Sequence, residues 1–146
     1  MSVGDAGYLG YWSNEEILNF LKGLLESERI GAKAFAAIGR VADPHVAELI
    51  FESELAQGAI CALLKKEIAA RGKAIPLRHE KTTAYPNAES SPRRRIGFAS
   101  SHQARSADRI EDAILNIFDS KLNAKLMYLL LLHRKQVELL EALLKP

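Results

Sequence analysis

The sequence is poor in the residues that support disulfides and membrane spans. Its single cysteine, Cys61, excludes an intramolecular disulfide, and a zinc site built on cysteines would need ligands that the chain lacks. The longest apolar run, residues 126–132, is too short to cross a bilayer, and residues 1–10 carry no basic segment followed by an apolar one. We therefore expect a cytoplasmic protein that does not enter a membrane.

Known catalytic motifs are missing as well. The sequence has no glycine-rich phosphate loop, no nucleophile elbow and no zincin helix motif. It therefore identifies no catalytic residue, and it leaves open whether the protein is an enzyme.

What is present is the composition of an ordinary globular protein. The 146 residues are 48% hydrophobic and 26% charged, with a net charge of +2. This length suits one domain with a continuous core that needs no metal or disulfide to hold it together. We predict a single domain over residues 1–146.

Four segments repeat apolar residues at the three- and four-residue spacing of an amphipathic helix. They predict helices over about 13–40, 44–71, 92–118 and 120–144. Each start has a capping signal, and the first adds a capping box and a hydrophobic staple. The fold class that follows is an all-α, antiparallel four-helix bundle with a long loop between helices 2 and 3. The capping residues are Ser13 with Glu16, Asp43 with Pro44, Ser91 with Pro92, and Asp119 or Ser120.

The third helix has two alternative starts. Its first half is rich in serine, glycine and arginine, which weakens the helical pattern. One interpretation begins the helix at Pro92, and the other begins it only at Asp108, which forms a capping box with Glu111.

Polar side chains interrupt the apolar stripe near the middle of each helix. In a bundle they meet in one layer, and a buried polar layer is costly unless its members satisfy one another, bind an ion or line a pocket. One residue from each helix can ligate a single divalent ion such as iron, manganese or zinc, and two neighbouring glutamines can line the site. The candidate metal ligands are Glu28, Glu54, His102 and His133, and the lining residues are Gln57 and Gln103.

Each candidate also has a structural interpretation. His133 can be a core histidine hydrogen-bonded to Glu28 or Gln57, and Glu28 can lie at the edge of its stripe in contact with water. Ser53 can replace Glu54 on the buried face. A small rotation of helix 3 places His102 in solvent.

The chain resembles ferritin-like bacterial proteins, and among them a small group of uncharacterised domains. The resemblance lies in Gly10-Tyr11, in residues 24–29 followed by Gly31-Ala32, in residues 61–64 and in His133. It implies a di-metal ligand set of Glu28, an acid on helix 2 and a histidine–glutamate pair on helix 4. In this sequence Gln57 stands at the helix 2 position and Arg134 follows His133. Both departures remove a carboxylate, and neutral amides do not balance the charge of two metal ions.

Charge and aromatic residues suggest partners only weakly. Residues 71–109 contain nine Lys or Arg against three Asp or Glu, and Arg93, Arg94 and Arg95 form a weak basic patch. No aromatic residues interleave with it, so we expect a solvated helix start and not a nucleic-acid site. Tyr8, Tyr11 and Trp12 are expected to cover the end of the bundle or a second subunit. Separately, two copies of such a bundle can pair through a helical face, so a homodimer is a candidate assembly.

Overall fold

The computed structural model describes residues 10–72 and 90–146. These residues form the predicted all-α four-helix bundle. None of the helices in these two ranges has an apolar stretch long enough to cross a membrane. The helices are α1 (Asn14–Gly39), α2 (Pro44–Ala70), α3 (Pro92–Ile114) and α4 (Ser120–Leu144).

Local capping explains where each helix begins. The side chain of Ser13 accepts from the backbone N–H of Glu16, and the carboxylate of Glu16 accepts from the N–H of Ser13, so the predicted capping box is formed. The N-cap side chains of the other three helices likewise accept from the first turn, which leaves fewer free N–H groups. These three N-caps are Asp43, Ser91 and Asp119.

Helix α3 begins at Pro92 and not at Asp108. Its polar first half is helical because one face of that half is buried, including Ile96 and Ala99. The helix ends at Ile114, four residues before the predicted end. Asn116 then donates from its side chain to the carbonyl oxygen of Asp112, which satisfies one of the last free carbonyls.

Contacts near the helix ends give the direction of each helix. Arg95, near the start of α3, contacts Ala37, near the end of α1, so these two helices are antiparallel. Arg71, after the end of α2, lies 3.5 Å from Asp119, before the start of α4. Short turns reverse the chain between α1 and α2 and between α3 and α4, so α2 and α3 run the same way. The long loop predicted between them falls on residues 73–89, outside the described residues.

The apolar core consists of two clusters with the polar layer between them. The larger cluster lies toward the start of α1 and includes Leu21, Leu64, Ile110 and Leu126. The smaller lies toward the end of α1 and includes Phe35, Ile38, Ile50, Ile96 and Leu140. Each cluster draws residues from all four helices. The polar layer is therefore held in place by apolar packing on both sides.

Arg95 corrects the prediction of a solvated arginine patch. Arg93 and Arg94 are exposed, but Arg95 is buried, with 4% of its surface exposed. Its Nη1 donates to the carbonyl oxygen of Ala37 at 2.7 Å, and its Nε donates to the carbonyl of Ser90 at 3.0 Å. A guanidinium at the end of α1 satisfies a terminal carbonyl and interacts favourably with the helix dipole. Helix α1 has no basic residue of its own in its last turn.

The aromatic residues before α1 lie against the end of the bundle. The backbone N–H of Trp12 donates to the carbonyl oxygen of Asn116 at 2.7 Å, and the Trp12 ring contacts Phe20 with centroids 5.5 Å apart. Tyr11 contacts Phe118. Tyr8, the third aromatic residue of the predicted cluster, lies outside the described residues.

Candidate functional site: a buried polar layer

Glu28 and His133 meet at the centre of the layer, and both side chains are fully buried. The Nε2 atom of His133 lies 2.9 Å from Oε1 of Glu28 and 2.8 Å from Oε2. The hydrogen-bond geometry is satisfied only for Oε1. On the other side of the ring, Nδ1 donates to the carbonyl oxygen of Leu129, one turn earlier in α4, at 2.7 Å. Two contacts thus fix the position and orientation of the imidazole.

These contacts also determine where the protons lie. A carbonyl oxygen only accepts, so Nδ1 carries a proton, and Nε2 donates a second one to the carboxylate. Burial lowers the pKa of His133, but the hydrogen bond and negative charge of Glu28, together with the Leu129 carbonyl, outweigh it and raise that pKa above 6.5. The Arg134 charge opposes the rise slightly. The raised pKa favours an imidazolium at His133, paired with the Glu28 carboxylate.

Three glutamines complete the layer around this pair. The Nε2 group of Gln57 donates to Oε1 of Glu28 at 2.9 Å and to the Glu28 backbone carbonyl at 3.1 Å. Its Oε1 accepts from Gln103 at 3.1 Å and from Gln136 at 3.2 Å, while Gln103 also donates to Oε1 of Gln136 at 2.7 Å. Helices α1, α2, α3 and α4 are thereby joined by one hydrogen-bonded network.

Gly31 gives the glutamines their space. A Cβ atom at this position would lie 2.6 Å from Oε1 of Gln103 and 2.8 Å from Nε2 of Gln57. Both separations are far inside van der Waals contact, and both glutamines are held in the network. Any larger residue at position 31 must therefore displace a part of the layer.

Two oxygens of the layer accept no hydrogen bond from residues 10–72 or 90–146. They are Oε2 of Glu28 and Oε1 of Gln103, and both are buried. Buried acceptors of this kind are costly, and a cation or an ordered water is the usual way to satisfy them.

His102 belongs to a separate polar cluster, which contacts α1 at Ser27, the residue before Glu28. Its Nε2 donates to the carbonyl oxygen of Ser27 at 2.8 Å and lies 3.3 Å from the Ser27 hydroxyl, which hydrogen-bonds Ser106 at 2.8 Å. Burial is the largest influence on the pKa of His102 and lowers it; the hydrogen bond to the Ser27 carbonyl opposes this, and the charges of Arg105 and Arg109 add to the lowering while Glu28 opposes it. His102 is therefore a neutral histidine with its proton on Nε2.

Glu54 lies apart from the layer. It is half-buried, and its Oε1 approaches Gly39 at the end of α1, while Ser53 takes the buried position on α2. In the described ranges no three His, Cys, Asp or Glu side chains are grouped so as to hold a metal ion. Of the four predicted ligands, the structure brings only Glu28 and His133 together. The two predicted lining residues, Gln57 and Gln103, do contact this pair or its partners.

The sequence does not identify several residues of the polar layer and of the His102 cluster as site residues. Gln136 lies three residues after His133, on the same side of α4, and this spacing is a signal that identifies it. Ser106 is likewise three residues after Gln103. The role of Gly31 has no signal in a single sequence, because it depends on how closely α2 and α3 approach α1.

The fold and the site define an all-α helical bundle with a buried layer of polar side chains that hydrogen-bond one another. The model of a domain of unknown function, DUF6306, matches residues 15–142, and the chain therefore belongs to this family. No curated protein and no solved structure matches it.

Proposed function

We propose that the protein is a non-catalytic helical module in which hydrogen bonds fill the position where ferritin-like bundles hold their metals. Ferritin-like architecture is favoured by the helix directions, since such bundles have one long connection between their second and third helices.

The observation that carries the proposal is the hydrogen bond from Nε2 of Gln57 to Oε1 of Glu28. A di-metal centre needs a second acid on α2, which would bring another negative charge to this point. Gln57 brings an N–H donor instead. The charge of Glu28 is then balanced by the His133 imidazolium, and Oε1 of Glu28 accepts from both His133 and Gln57. The pair is thus neutralised without a metal, although Oε2 accepts no hydrogen bond from the described residues. The residues present therefore do not fit a di-metal centre.

A second candidate function is the binding of one divalent ion, such as iron, manganese or zinc. It is favoured by the two oxygens without donors, Oε2 of Glu28 and Oε1 of Gln103. It is also favoured by the bond from Nδ1 of His133 to a carbonyl, because histidine ligands are commonly oriented in this way.

Metal analysis of the purified protein separates the two candidates. We expect far less than one equivalent of any transition metal, and no rise in Tm when iron, manganese or zinc is added. Close to one equivalent of a metal that is lost in His133→Gln but retained in His45→Gln would overturn the proposal in favour of the second candidate. His45 is an exposed histidine at the start of α2, so its variant controls for binding to surface imidazoles.

A further inference from the structure

Helix α2 has an apolar stripe on its outer face as well as on its inner one. Phe51 and Leu55 have 55% and 60% of their surface exposed, and Gly58 and Ala62 continue the stripe in exposed positions. The spacings are four, three and four residues, which is the pattern of a seam between two packed helices. The stripe faces away from the core that α2 shares with the other helices.

Gly58 has no evident role within one copy of the chain. A Cβ atom at this position would meet no atom within 4 Å. Glycine in the middle of a helix costs about 1 kcal/mol relative to alanine, and Gly58, like Gly23 in α1, relieves no contact among the described residues. Its absent side chain leaves a hollow on the outer face of α2, next to Leu55.

The stripe is self-complementary when a second α2 runs antiparallel to the first. Residues equally distant from the midpoint between Ala56 and Gln57 then face each other. Leu55 faces Gly58 and Phe51 faces Ala62, so each large side chain meets a small one. Beyond them, the exposed Glu48 faces the exposed Lys65, so each acid meets a base. A twofold interface requires this kind of match, in which one patch complements itself.

We propose that two copies of this chain pair through the outer faces of α2, antiparallel, about an axis near residues 56 and 57. The proposal is independent of what the polar layer binds. Another exposed apolar patch, Met127, Tyr128 and Leu131 on α4, does not show this match in the register centred on its most C-terminal member. Antiparallel pairing about Leu131 would place Met127 against Lys135.

A charge-swap experiment on the full chain tests the register of this pairing. Glu48 and Lys65 of one copy are about 26 Å apart along α2, so they cannot pair with each other within that copy. We expect Glu48→Lys and Lys65→Glu each to weaken dimerisation about three- to tenfold in sedimentation equilibrium at low salt. The double variant should return to within about twofold of the original Kd, because its pairs are restored with opposite signs. A double variant weaker than either single one would refute the register.

Two pairs of variants test the face itself. Leu55→Glu should weaken the dimer by about a hundredfold or more, because the interface would bury an unpaired charge, whereas Leu131→Glu on α4 should leave the Kd unchanged. Gly58→Leu should also dissociate the dimer by filling the hollow. Gly23→Leu is its matched control, since Gly23 is an exposed glycine in α1 with equally open surroundings.

All of these positions are exposed, so far-UV circular dichroism should show folded protein for each variant. A chain that stays monomeric from micromolar to submillimolar concentrations would overturn the proposal. So would a dimer that Leu131→Glu dissociates and Leu55→Glu leaves intact.

Discussion

Two buried histidines of the described residues, His133 and His102, lie against neighbouring residues of α1, yet their pKa values are shifted in opposite directions. His133 faces Glu28, a carboxylate, and its pKa is raised, although burial alone lowers it. His102 faces the backbone carbonyl of Ser27, and burial lowers its pKa. Both rings are buried and both donate to an oxygen. Burial therefore lowers the pKa of both rings, and at His133 the hydrogen bond and negative charge of Glu28, helped by the Leu129 carbonyl, outweigh it.

The largest expected effect comes from removing one partner of the charged pair. His133→Leu should lower the free energy of unfolding by about 3–5 kcal/mol, because it leaves the Glu28 carboxylate buried without its counterion. His102→Leu should cost only about 1–2 kcal/mol, since the group left behind is a neutral carbonyl. Urea denaturation of the two variants measures the difference directly.

The double variant Glu28→Leu with His133→Leu provides the control for this prediction. Replacing both members of a buried ion pair with apolar residues is often neutral or stabilising. We expect it to regain most of the stability that His133→Leu loses. A loss in the double variant as large as that in His133→Leu would contradict this prediction.

An intermediate effect is expected at Gly31, which makes room for the glutamines around His133. Gly31→Ala should destabilise the protein by about 1–3 kcal/mol, despite the better helix propensity of alanine, because Gln57 and Gln103 must move. Gly23→Ala, on the same helix in open surroundings, should stabilise it by about 0.5–1 kcal/mol. Thermal melting of the two variants, with changes of opposite sign, is the measurement. A gain of stability in Gly31→Ala would show that the layer is loosely packed.

The smallest expected effect is on the pH dependence of stability. The pKa of His133 is higher in the folded protein than the ordinary value of 6.5, so its contribution is complete below pH 6.5 and is lost as the pH rises through the folded value. The pKa of His102 is lower in the folded protein, so the unfolded chain binds more protons and stability falls as the pH drops below 6.5.

Together the two histidines predict a stability maximum near pH 6.5. Urea midpoints measured across this range in the original protein and in His102→Gln check the assignment, because the variant should lose part of the acidic slope and keep the alkaline one. If His102→Gln flattens the alkaline side instead, the two charge states have been assigned to the wrong rings.

The helices could be predicted because their capping residues and apolar spacings are local in the sequence. The pairings within the polar layer could not, because they depend on contacts between different helices. Ser13 and Asp43 cap their helices through atoms three residues away, so a short stretch of sequence contains the whole interaction. Glu28 and His133 were recognisable because each interrupts an apolar stripe. Their pairing joins α1 to α4, and no spacing in the sequence specifies which polar residues of different helices will meet.

Arg95 illustrates what a single sequence does not contain. In the sequence it is one of three consecutive arginines, and charged side chains usually face water. Its burial depends on a free carbonyl at the end of α1, which is available only once α1 and α3 lie antiparallel. Similarly, the apolar stripe of α2 can run through Ser53 instead of Glu54, and the rotation of α2 about its axis decides which of them is buried.

The position of Trp12 makes the two halves of the core separately observable. It is the only tryptophan in the chain, and it packs against the larger apolar cluster, at the opposite end of the bundle from Arg95. Its fluorescence therefore reports on that half alone, whereas circular dichroism averages over all four helices. If the polar layer transmits unfolding between the halves, the two signals change together; if it acts as a boundary, the fluorescence transition separates from the helical one.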